Sequence, residues 1–247
     1  MSNMSSIIPI TCPQEEEVVK ESKYVHIDQD GVIKLASEVI EDVIKESIKD
    51  KGLQVKKKFE RHKYFPERLE PTSADWIFLI NTLNFSLFAS NSPKKWTVNG
   101  EEGYSALCYA IKRAIKEQCI PLYDPYYYAR LRKRDIKKIF IGDERTTCIP
   151  FLEKRVKILR DVGNTLINKF NGTFRTCLRK CGFDSNLLMD LLTNEFAYYR
   201  DEVDYYGKKV CLNTKAKILI NDLAAYYDYI IKFQTCEMCK EDVYDIC

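Results

Sequence analysis

The sequence predicts an all-α protein folded as one compact domain, and three observations favour this class. The chain has 247 residues but only nine glycines and eight prolines, fewer than the roughly 7% and 5% of average proteins. Apolar residues recur three and four positions apart in several segments, which is the period of one helix face. Only residues 203–212 carry the features of a β-hairpin. Together these features predict helices packed around a single core.

The composition limits the class of protein. Apolar residues make up 45% of the chain and charged residues 30%, which are ordinary values for globular proteins. A mainly disordered chain and a fibrous one are therefore excluded. The net charge of +3 is too small for a dedicated nucleic-acid-binding protein, which carries a strongly basic surface. A small anionic ligand, however, needs only one or two local cations.

The compartment is predicted from patterns that the sequence lacks. It contains no apolar run of about 18 residues, so we expect no membrane span. Its start does not combine a basic region with a long apolar core, which is the pattern of a secretory signal. We therefore expect the ten cysteines to be reduced thiols, and the protein to lie in the cytoplasm or the nucleus.

The N-terminal part is predicted to consist of an arm, a helix and a connector. Residues 1–23 are polar and acidic without a sustained period, and we expect a mobile arm. Residues 31–50 carry an apolar residue every three to five positions, which predicts an amphipathic helix with Asp30 near its start. Residues 54–71 form a basic connector that ends with prolines at 66 and 71.

The segment that begins at Asp75 reads DWIFLINTLNFSLFAS. It is apolar nearly all round, so residues 75–88 are expected to form a helix buried on every side. Its polar residues need partners, because an unmet buried polar group costs roughly 1–3 kcal/mol. Neighbouring helices or a ligand can meet that need. On a helical projection these residues fall on two sides: Asp75, Thr82 and Ser86 on one, Asn81 and Asn84 on the other.

The rest of the chain is predicted to be helical apart from the 203–212 hairpin. Pro150 suits the first position of a helix, and Asn171 with Gly172 suits the C-terminal cap of the same helix. The predicted helices are 104–117, 132–140, Pro150–Phe170, 173–180, 185–195 and 214–230.

Familiar catalytic and metal sites are not supported. Cys236 and Cys239 have the spacing of zinc ligands, and Cys247 follows, but a structural zinc site needs four ligands and no histidine is near. We predict no metal site from these cysteines, and their role stays open. The sequence has no G-x-S-x-G elbow and no glycine-rich phosphate loop, so triad catalysis and that form of nucleotide binding are not expected.

His62 lies in the basic connector, ahead of the buried helix. A single histidine is most often a surface or hydrogen-bonded structural residue, but it is also the commonest acid, base or polar anchor near neutral pH. The basic runs 56–58 and 130–134 are most simply solvated faces, with a phosphate contact as the alternative. From the residues alone, both histidine roles stay open.

Several stretches of the chain, in order, resemble the queuosine salvage protein family. The most distinctive is the run from Asp75 to Ser86, which is similar to the family's D-W-I-F-x-x-D-T-L-N-F-S-F. The similarity covers about 24–224, and a match of that length is more specific than any short motif. Other matching stretches are Val25–Asp28, His62 with Pro66, Gly103–Tyr104, Leu107–Cys108, Tyr127–Ala129, Phe170–Phe174 and Tyr199–Asp201.

This resemblance implies a fold similar to helix-hairpin-helix DNA glycosylases and the hydrolysis of queuosine 5′-phosphate, which releases the base queuine for salvage into tRNA modification. It implies a small-molecule substrate, no cofactor, no direct contact with nucleic acid and, we expect, a monomer. His62 matches the histidine that contacts the queuine base. Asn84 and Ser86 match residues beneath the site, and we expect them to have a supporting role.

The chain also departs from the family pattern. The family's D-T-L-N-F reads NTLNF here, with Asn81 in place of the acidic residue. The similarity fades after about 224, and the F-A-D-Y-R motif, whose Asp is the family's catalytic carboxylate, does not occur. We therefore predict an incomplete helical domain over 24–224, a divergent tail over 225–247, and no catalytic residue in this chain. The alternative to an enzyme is an inactive homologue that binds a ligand or a partner.

Overall fold

The computed structural model describes residues 18, 20–24, 26–49, 65–66, 69–88 and 94–237, without the side chains of 43, 46–49 and 228–237. Across these residues the protein is mainly α-helical, as the sequence predicts, with only two short hairpins. One cluster of buried side chains runs from Phe65 to Tyr226. The predicted fold class is therefore confirmed, while the likeness to helix-hairpin-helix glycosylases stays a prediction.

The first helix, α1, spans Gln29–Lys49 and confirms the helix predicted over 31–50. Its N-terminus is capped by Asp28, whose carboxylate accepts hydrogen bonds from the amides of Asp30 and Gly31. The apolar stripe that predicts the helix is exposed to solvent among the described residues, since Leu35 is 61% exposed and Val39 is 53% exposed.

Helix α2 spans Ser73–Leu83, and every one of its residues is buried. The predicted buried helix is thus confirmed in place, and Trp76, Phe78, Leu79 and Leu83 are at most 2% exposed. The predicted extent to residue 88 is wrong, because α2 ends at Leu83. The chain turns away there, and Ser86 adopts a left-handed conformation with a φ of 43°.

Three polar side chains of α2 are bonded to other elements of the protein. The Asp75 carboxylate accepts hydrogen bonds from the Phe174 amide at 2.6 Å and the Thr173 hydroxyl at 2.7 Å. The Thr82 hydroxyl lies 2.9 Å from the Tyr199 hydroxyl. The Asn81 amide donates to the Asp222 carboxylate at 3.1 Å. Neighbouring segments, rather than a ligand, therefore meet these buried polar groups.

The middle of the chain forms a small hairpin and several short helices. Strands β1 and β2 pair antiparallel around a tight turn at Asn99 and Gly100. Helix α3 follows directly and passes into a π-helical turn. The bounds are β1 Thr97–Val98, β2 Glu101–Glu102, α3 Gly103–Lys112, the π-helical turn Arg113–Glu117, α4 Pro125–Tyr128 and α5 Lys133–Ile139.

The longest helix of the middle region, α6, spans Leu152–Lys169 and begins two residues later than predicted. Pro150 is not its first residue, because Phe151 adopts a left-handed conformation with a φ of 56° between the proline and the helix. The predicted cap is confirmed, since Asn171 and Gly172 both have positive φ and the Gly172 amide returns to the Leu166 carbonyl.

The remaining elements match the predicted helices and confirm the 203–212 hairpin. Strands β3 and β4 pair antiparallel with four residue pairs in register. The last helix, α9, packs against α2 and runs through the predicted division at 224/225 without a break. The bounds are α7 Phe174–Lys180, α8 Ser185–Glu195, a 3₁₀ turn Ala197–Tyr199, β3 Glu202–Tyr205, β4 Lys208–Cys211 and α9 Thr214–Glu237.

Several predictions fall on residues that the structure does not describe. The arm 1–23 is described only in part, and His62, Cys239 and Cys247 lie outside the described residues, as does the Cys236 side chain. In the described part, no group of His, Cys, Asp and Glu residues is arranged to hold a metal ion. No helix in the same ranges is both long and apolar enough to cross a membrane.

Packing between α4 and α6 depends on Gly163, and its replacement tests this contact. A Cβ at position 163 would lie 2.9 Å from the Ala129 Cβ and 2.9 Å from the buried Tyr128 ring. We expect Gly163→Ala to lower the free energy of unfolding by about 1–3 kcal/mol. Urea denaturation measures the change. The exposed neighbour Asn164 supplies the control, because Asn164→Ala should change stability by less than about 0.5 kcal/mol; an equal loss in both variants would contradict the close contact.

Candidate functional site

The segment that follows α2 forms a half-exposed turn, Asn84–Leu87, which we call the 84–87 turn. Asn84 is the C-terminal cap residue of α2, and Phe85 is half-buried. Ser86 is exposed and carries the positive φ of 43°. A non-glycine residue in this conformation stores a strain of order 1–3 kcal/mol, and such residues persist only where their surroundings hold them.

Arg155 of α6 holds the 84–87 turn in place. Its guanidinium donates to the carbonyls of Leu83, Phe85 and Ser86, and its Nε donates to the Pro150 carbonyl at 2.8 Å. These carbonyls belong to the end of a buried helix and to irregular backbone, where no helical donor reaches them. One side chain therefore satisfies the end of α2 and fixes the strained turn.

The Arg155 guanidinium is a buried positive charge without a carboxylate partner in the described part of the chain. The side chain is fully buried, and all of its hydrogen bonds go to backbone carbonyls. Burial lowers the pKa of Arg155 to about 10, and no carboxylate opposes this shift. The group stays protonated at neutral pH, so its charge gives the nearby surface a positive potential.

Two aromatic rings lie beside this charge and carry two lysines over their faces. The Phe85 ring lies 4.1 Å from the guanidinium carbon of Arg155 and 5.9 Å from the Tyr198 ring. The Lys154 ammonium lies 5.4 Å from the Phe85 ring, and the Lys215 ammonium lies 4.4 Å from the Tyr198 ring. We call these five residues the Phe85 patch.

Polar atoms near the Phe85 patch are left without hydrogen-bond partners. The Tyr198 hydroxyl, one carboxylate oxygen of Asp201 and the side-chain oxygen of Asn213 are buried and unbonded. Burial raises the pKa of Tyr198, the charge of Arg155 opposes this effect, and the charge of Asp201 adds to it. Unsatisfied groups of this kind are rare in folded proteins and need a partner from outside the described residues.

Asp75 lies at the opposite end of α2 and is a candidate for a functional carboxylate. It is 5% exposed, and burial raises its pKa to about 6 against the opposing effect of its bonds to Phe174 and Thr173. Both of its oxygens are bonded at the N-terminus of α7. Asp75 therefore acts as a buried cap of α7, and it presents no free oxygen to a substrate.

The predicted site residues have different outcomes. His62 lies outside the described residues, so its contact with the base stays a prediction. Asn84 and Ser86 both lie in the 84–87 turn, where the Ser86 carbonyl accepts a bond from Arg155 at 3.3 Å. Their supporting role also stays a prediction. The neutral residue at 81 is bonded within the fold, because the Asn81 amide donates to the Asp222 carboxylate at 3.1 Å.

Sequence reasoning gave no site role to the residues that build the Phe85 patch, although Phe85 and Arg155 lie at positions that match the family. Arg155, Tyr198 and Lys215 come from three distant segments, and none of them belongs to a charge run. One feature of the sequence indicates that a donor is needed here, namely the polar residues at the C-terminal end of an otherwise apolar helix. A buried helix whose last carbonyls have no solvent requires a donor, and an arginine at the start of a neighbouring helix meets that need.

The chain is similar in sequence to proteins of one known family. The family described as queuosine salvage protein matches residues 64–237. The chain belongs to this family. It is 33% identical over 215 residues to the queuosine 5′-phosphate N-glycosylase/hydrolase of Nematostella vectensis, a match that covers 85% of this chain and 60% of the relative.

Other relatives in the family carry the same name. The protein of Mus musculus is 31% identical over 220 residues, which cover 87% of this chain and 62% of the relative. The protein of Sphaerobacter thermophilus is 33% identical over 159 residues, which cover 63% of this chain and 47% of the relative. The chain thus spans about 60% of the length of the animal relatives. The family match also continues past 224 into the second half of α9.

The buried carboxylate of Asp75 predicts a dependence of stability on pH. Its pKa is about 6 in the folded protein against 3.8 for an exposed Asp, so the folded state binds more protons between these values. The free energy of unfolding therefore falls as pH rises from about 4 to 6, by on the order of 3 kcal/mol from this group. Urea denaturation across this range measures the fall.

Asp75→Asn removes the titrating group and keeps an oxygen for the Phe174 amide. We expect the variant to lose this part of the pH dependence. The exposed Asp161 of α6 provides the control, because Asp161→Asn should leave the slope between pH 4 and 6 unchanged. A slope of the same size in Asp75→Asn would contradict a raised pKa at this position.

Proposed function

We propose that this protein hydrolyses the N-glycosidic bond of queuosine 5′-phosphate and releases queuine. The observation that carries the proposal is the family match over 64–237 together with relatives whose names state this activity. The described surface supports it, because the Phe85 patch joins aromatic faces, cations and unbonded polar atoms. Such a combination suits a ligand with an apolar ring and an anionic group.

The reaction sets two requirements on any site. The bond between C1′ and the base nitrogen breaks, its electron pair leaves with the base, and the base nitrogen takes a proton. A water molecule adds to C1′ and loses a proton. C1′ carries positive charge in the transition state, so an anionic group must face it, and donors must hold the departing base.

The described residues offer few carboxylates that could serve as the anionic group facing C1′. Asp75 has both oxygens bonded, and Asp222 accepts from Asn81. Asp201 has one unbonded oxygen, while its other oxygen accepts from the Thr214 amide at 3.0 Å. We therefore propose that full activity depends on the carboxylate that the F-A-D-Y-R motif supplies in the family.

A base-release assay tests this dependence. Chromatography should detect no appreciable queuine from queuosine 5′-phosphate with the 247-residue chain, because the F-A-D-Y-R carboxylate is not in its sequence. The same chain extended after Glu237 with the corresponding segment of the Nematostella vectensis relative should release queuine. The extension with Ala in place of the motif's Asp is the matched control and should be inactive.

Two outcomes would contradict this proposal. Turnover by the short chain at the rate of the extended one would show that the carboxylate lies within these residues, with Asp201 the first to substitute. Absence of turnover in the extended chain, with substrate bound, would favour the alternative of a binding protein without catalysis.

We also propose that His62 contacts the queuine base. Phe65, three residues after it in sequence, is buried at 1% exposure and packs edge-to-face on the Tyr226 ring at 6.0 Å. The described chain that follows His62 is therefore anchored to the core beside α2 and α9. A histidine offers both a donor and an acceptor to a polar base.

His62→Ala should weaken queuine binding about tenfold, the effect of one lost hydrogen bond to a ligand. Calorimetric titration of queuine measures the affinity, and circular dichroism checks that the variant is folded. The matched control is His26→Ala, because His26 is the other histidine and is exposed. An affinity equal to that of the unmodified chain would remove His62 from the site.

The same proposal includes the binding partner, the oligomeric state and the compartment of the protein. The partner is a small nucleotide rather than a nucleic acid, and the protein works as a monomer in the cytoplasm or the nucleus. A net charge of +3 supports recognition of one anionic group and not of a polynucleotide backbone.

A further inference from the structure

A strongly basic surface lies on α5 and on the side of α6 that faces it. Helix α5 carries four cations and one acid among its seven residues, whereas the whole chain has an excess of only three positive charges. Its apolar residues Ile136 and Ile139 are buried, so its cations project away from the core. We call this surface the α5–α6 basic face, and its members, all exposed, are Lys133, Arg134, Lys137, Lys138, Lys157 and Arg160.

Two hydrogen bonds place the α6 cations beside α5. The Lys133 ammonium donates to the Glu153 carboxylate at 2.6 Å, and the Arg160 Nε donates to the Leu131 carbonyl at 2.8 Å. Lys157 lies one turn after Glu153 and one turn before Arg160, so it is on the same side of α6. The cations of the two helices therefore form one surface rather than two separate charge runs.

This arrangement of charge is unfavourable for α5 by itself. Its cations recur four residues apart, as Lys133 and Lys137 do, and like charges at this spacing destabilise a helix. The one acid of α5, Asp135, lies 3.5 Å from Arg134. Lys137 and Lys138 form no ion pair with a carboxylate in the part of the chain that the structure describes. Negative charge from a bound partner would therefore relieve the repulsion.

The α5–α6 basic face already stabilises one carboxylate of this chain. Glu153 is exposed, and the hydrogen bond and the charge of Lys133 lower the pKa of its carboxyl group. Ammonium and guanidinium ions form charge-assisted hydrogen bonds with carboxylate oxygens. The cations without a described partner, such as Lys138, can bind further carboxylates in the same way.

An aromatic side chain lies close to these cations. Phe151 precedes α6 with a φ of 56°, and its side chain is 57% exposed. The segment that leads to it contacts α5, because the Cys148 thiol lies 3.7 Å from the Lys137 carbonyl. Among residues 132–161, Phe151 is the one large apolar side chain that is exposed. Interfaces between proteins combine such an aromatic anchor with charged residues around it.

We propose that the α5–α6 basic face binds an acidic segment of a partner protein, with Phe151 in contact with an apolar residue of that segment. A membrane surface fits these residues less well, because binding to lipid needs more apolar area than one phenylalanine offers. A polynucleotide also fits less well, because an excess of three charges over the whole chain gives little long-range attraction. The proposed hydrolysis does not depend on this surface.

A fluorescein-labelled poly-glutamate peptide with one central tryptophan tests this surface by fluorescence anisotropy. The 247-residue chain should bind the peptide at low ionic strength, and added salt should weaken the binding. Lys138→Glu in α5 and Lys157→Glu in α6 should each lower the affinity about fivefold or more. The matched control is Lys34→Glu, which makes the same change of charge at an exposed lysine of α1 and should bind as the unmodified chain does.

Phe151→Asn tests the aromatic anchor, because asparagine accepts the left-handed conformation of this position. The variant should bind the tryptophan peptide about fivefold more weakly and should bind poly-glutamate without tryptophan as the unmodified chain does. The matched control is Phe183→Asn, since Phe183 is 56% exposed with a φ of 59° in the loop between α7 and α8. Circular dichroism and thermal denaturation check that each variant is folded.

The outcomes decide between this partner and the other anionic surfaces. Equal affinities of Lys138→Glu and Lys34→Glu for the peptide would overturn the proposal, as would equal affinities of Phe151→Asn and Phe183→Asn. Tighter binding through Lys138 to phosphatidylserine vesicles, or to an RNA oligonucleotide, would overturn it in favour of a membrane or a polynucleotide. None of these measurements involves base release, so their failure is distinguishable from failure of the proposed hydrolysis.

Discussion

The complete burial of α2 is the constraint on which the rest of this structure depends. A helix with no solvent face depends on other elements to bond its polar side chains, since every unmet group costs free energy. Asp75 binds the start of α7, Thr82 binds the 3₁₀ turn at Tyr199, and Asn81 binds α9. These three bonds fix where the surrounding segments lie. The apolar side chains between them, such as Phe78 stacked on Phe174 at 4.3 Å, then fill the core.

The same constraint produces the candidate site. The Leu83 carbonyl at the end of α2 lies in the protein interior, and Arg155 donates to it and to the Phe85 and Ser86 carbonyls of the 84–87 turn. A neutral donor would have met the same need without leaving a net charge. The use of a guanidinium leaves a buried positive charge beside Phe85 and Tyr198. A structural requirement at the end of a helix thus creates the potential that an anionic ligand can use.

The sequence predicts the helices of this fold better than their contacts. The burial of α2 follows from its apolar residues alone, and the cap at Asn171 and Gly172 follows from residue type. The end of α2 at Leu83 and the start of α6 after Phe151 do not, because both depend on left-handed residues of ordinary type. The Phe85 patch could not be predicted either, because Arg155 lies 72 residues from Leu83 in the chain. Its members meet only through the packing of α6 and α9 around α2.

The two departures of this chain from its family have different physical meanings. Asn81 replaces an acid of the family run, yet its amide donates to Asp222 at 3.1 Å and ties α2 to α9. An amide at this position can donate to the carboxylate without adding a second negative charge, so this departure is accommodated within the fold. The second departure, the absence of the F-A-D-Y-R carboxylate from this sequence, is different. No described carboxylate lies away from Arg155 and the two lysines and offers the same chemistry. The Phe85 patch is positive, and a positive surface cannot stabilise a cationic C1′. The proposed reaction therefore requires a carboxylate apart from the Arg155 charge, since both oxygens of Asp75 are bonded within the fold and Asp222 accepts from Asn81.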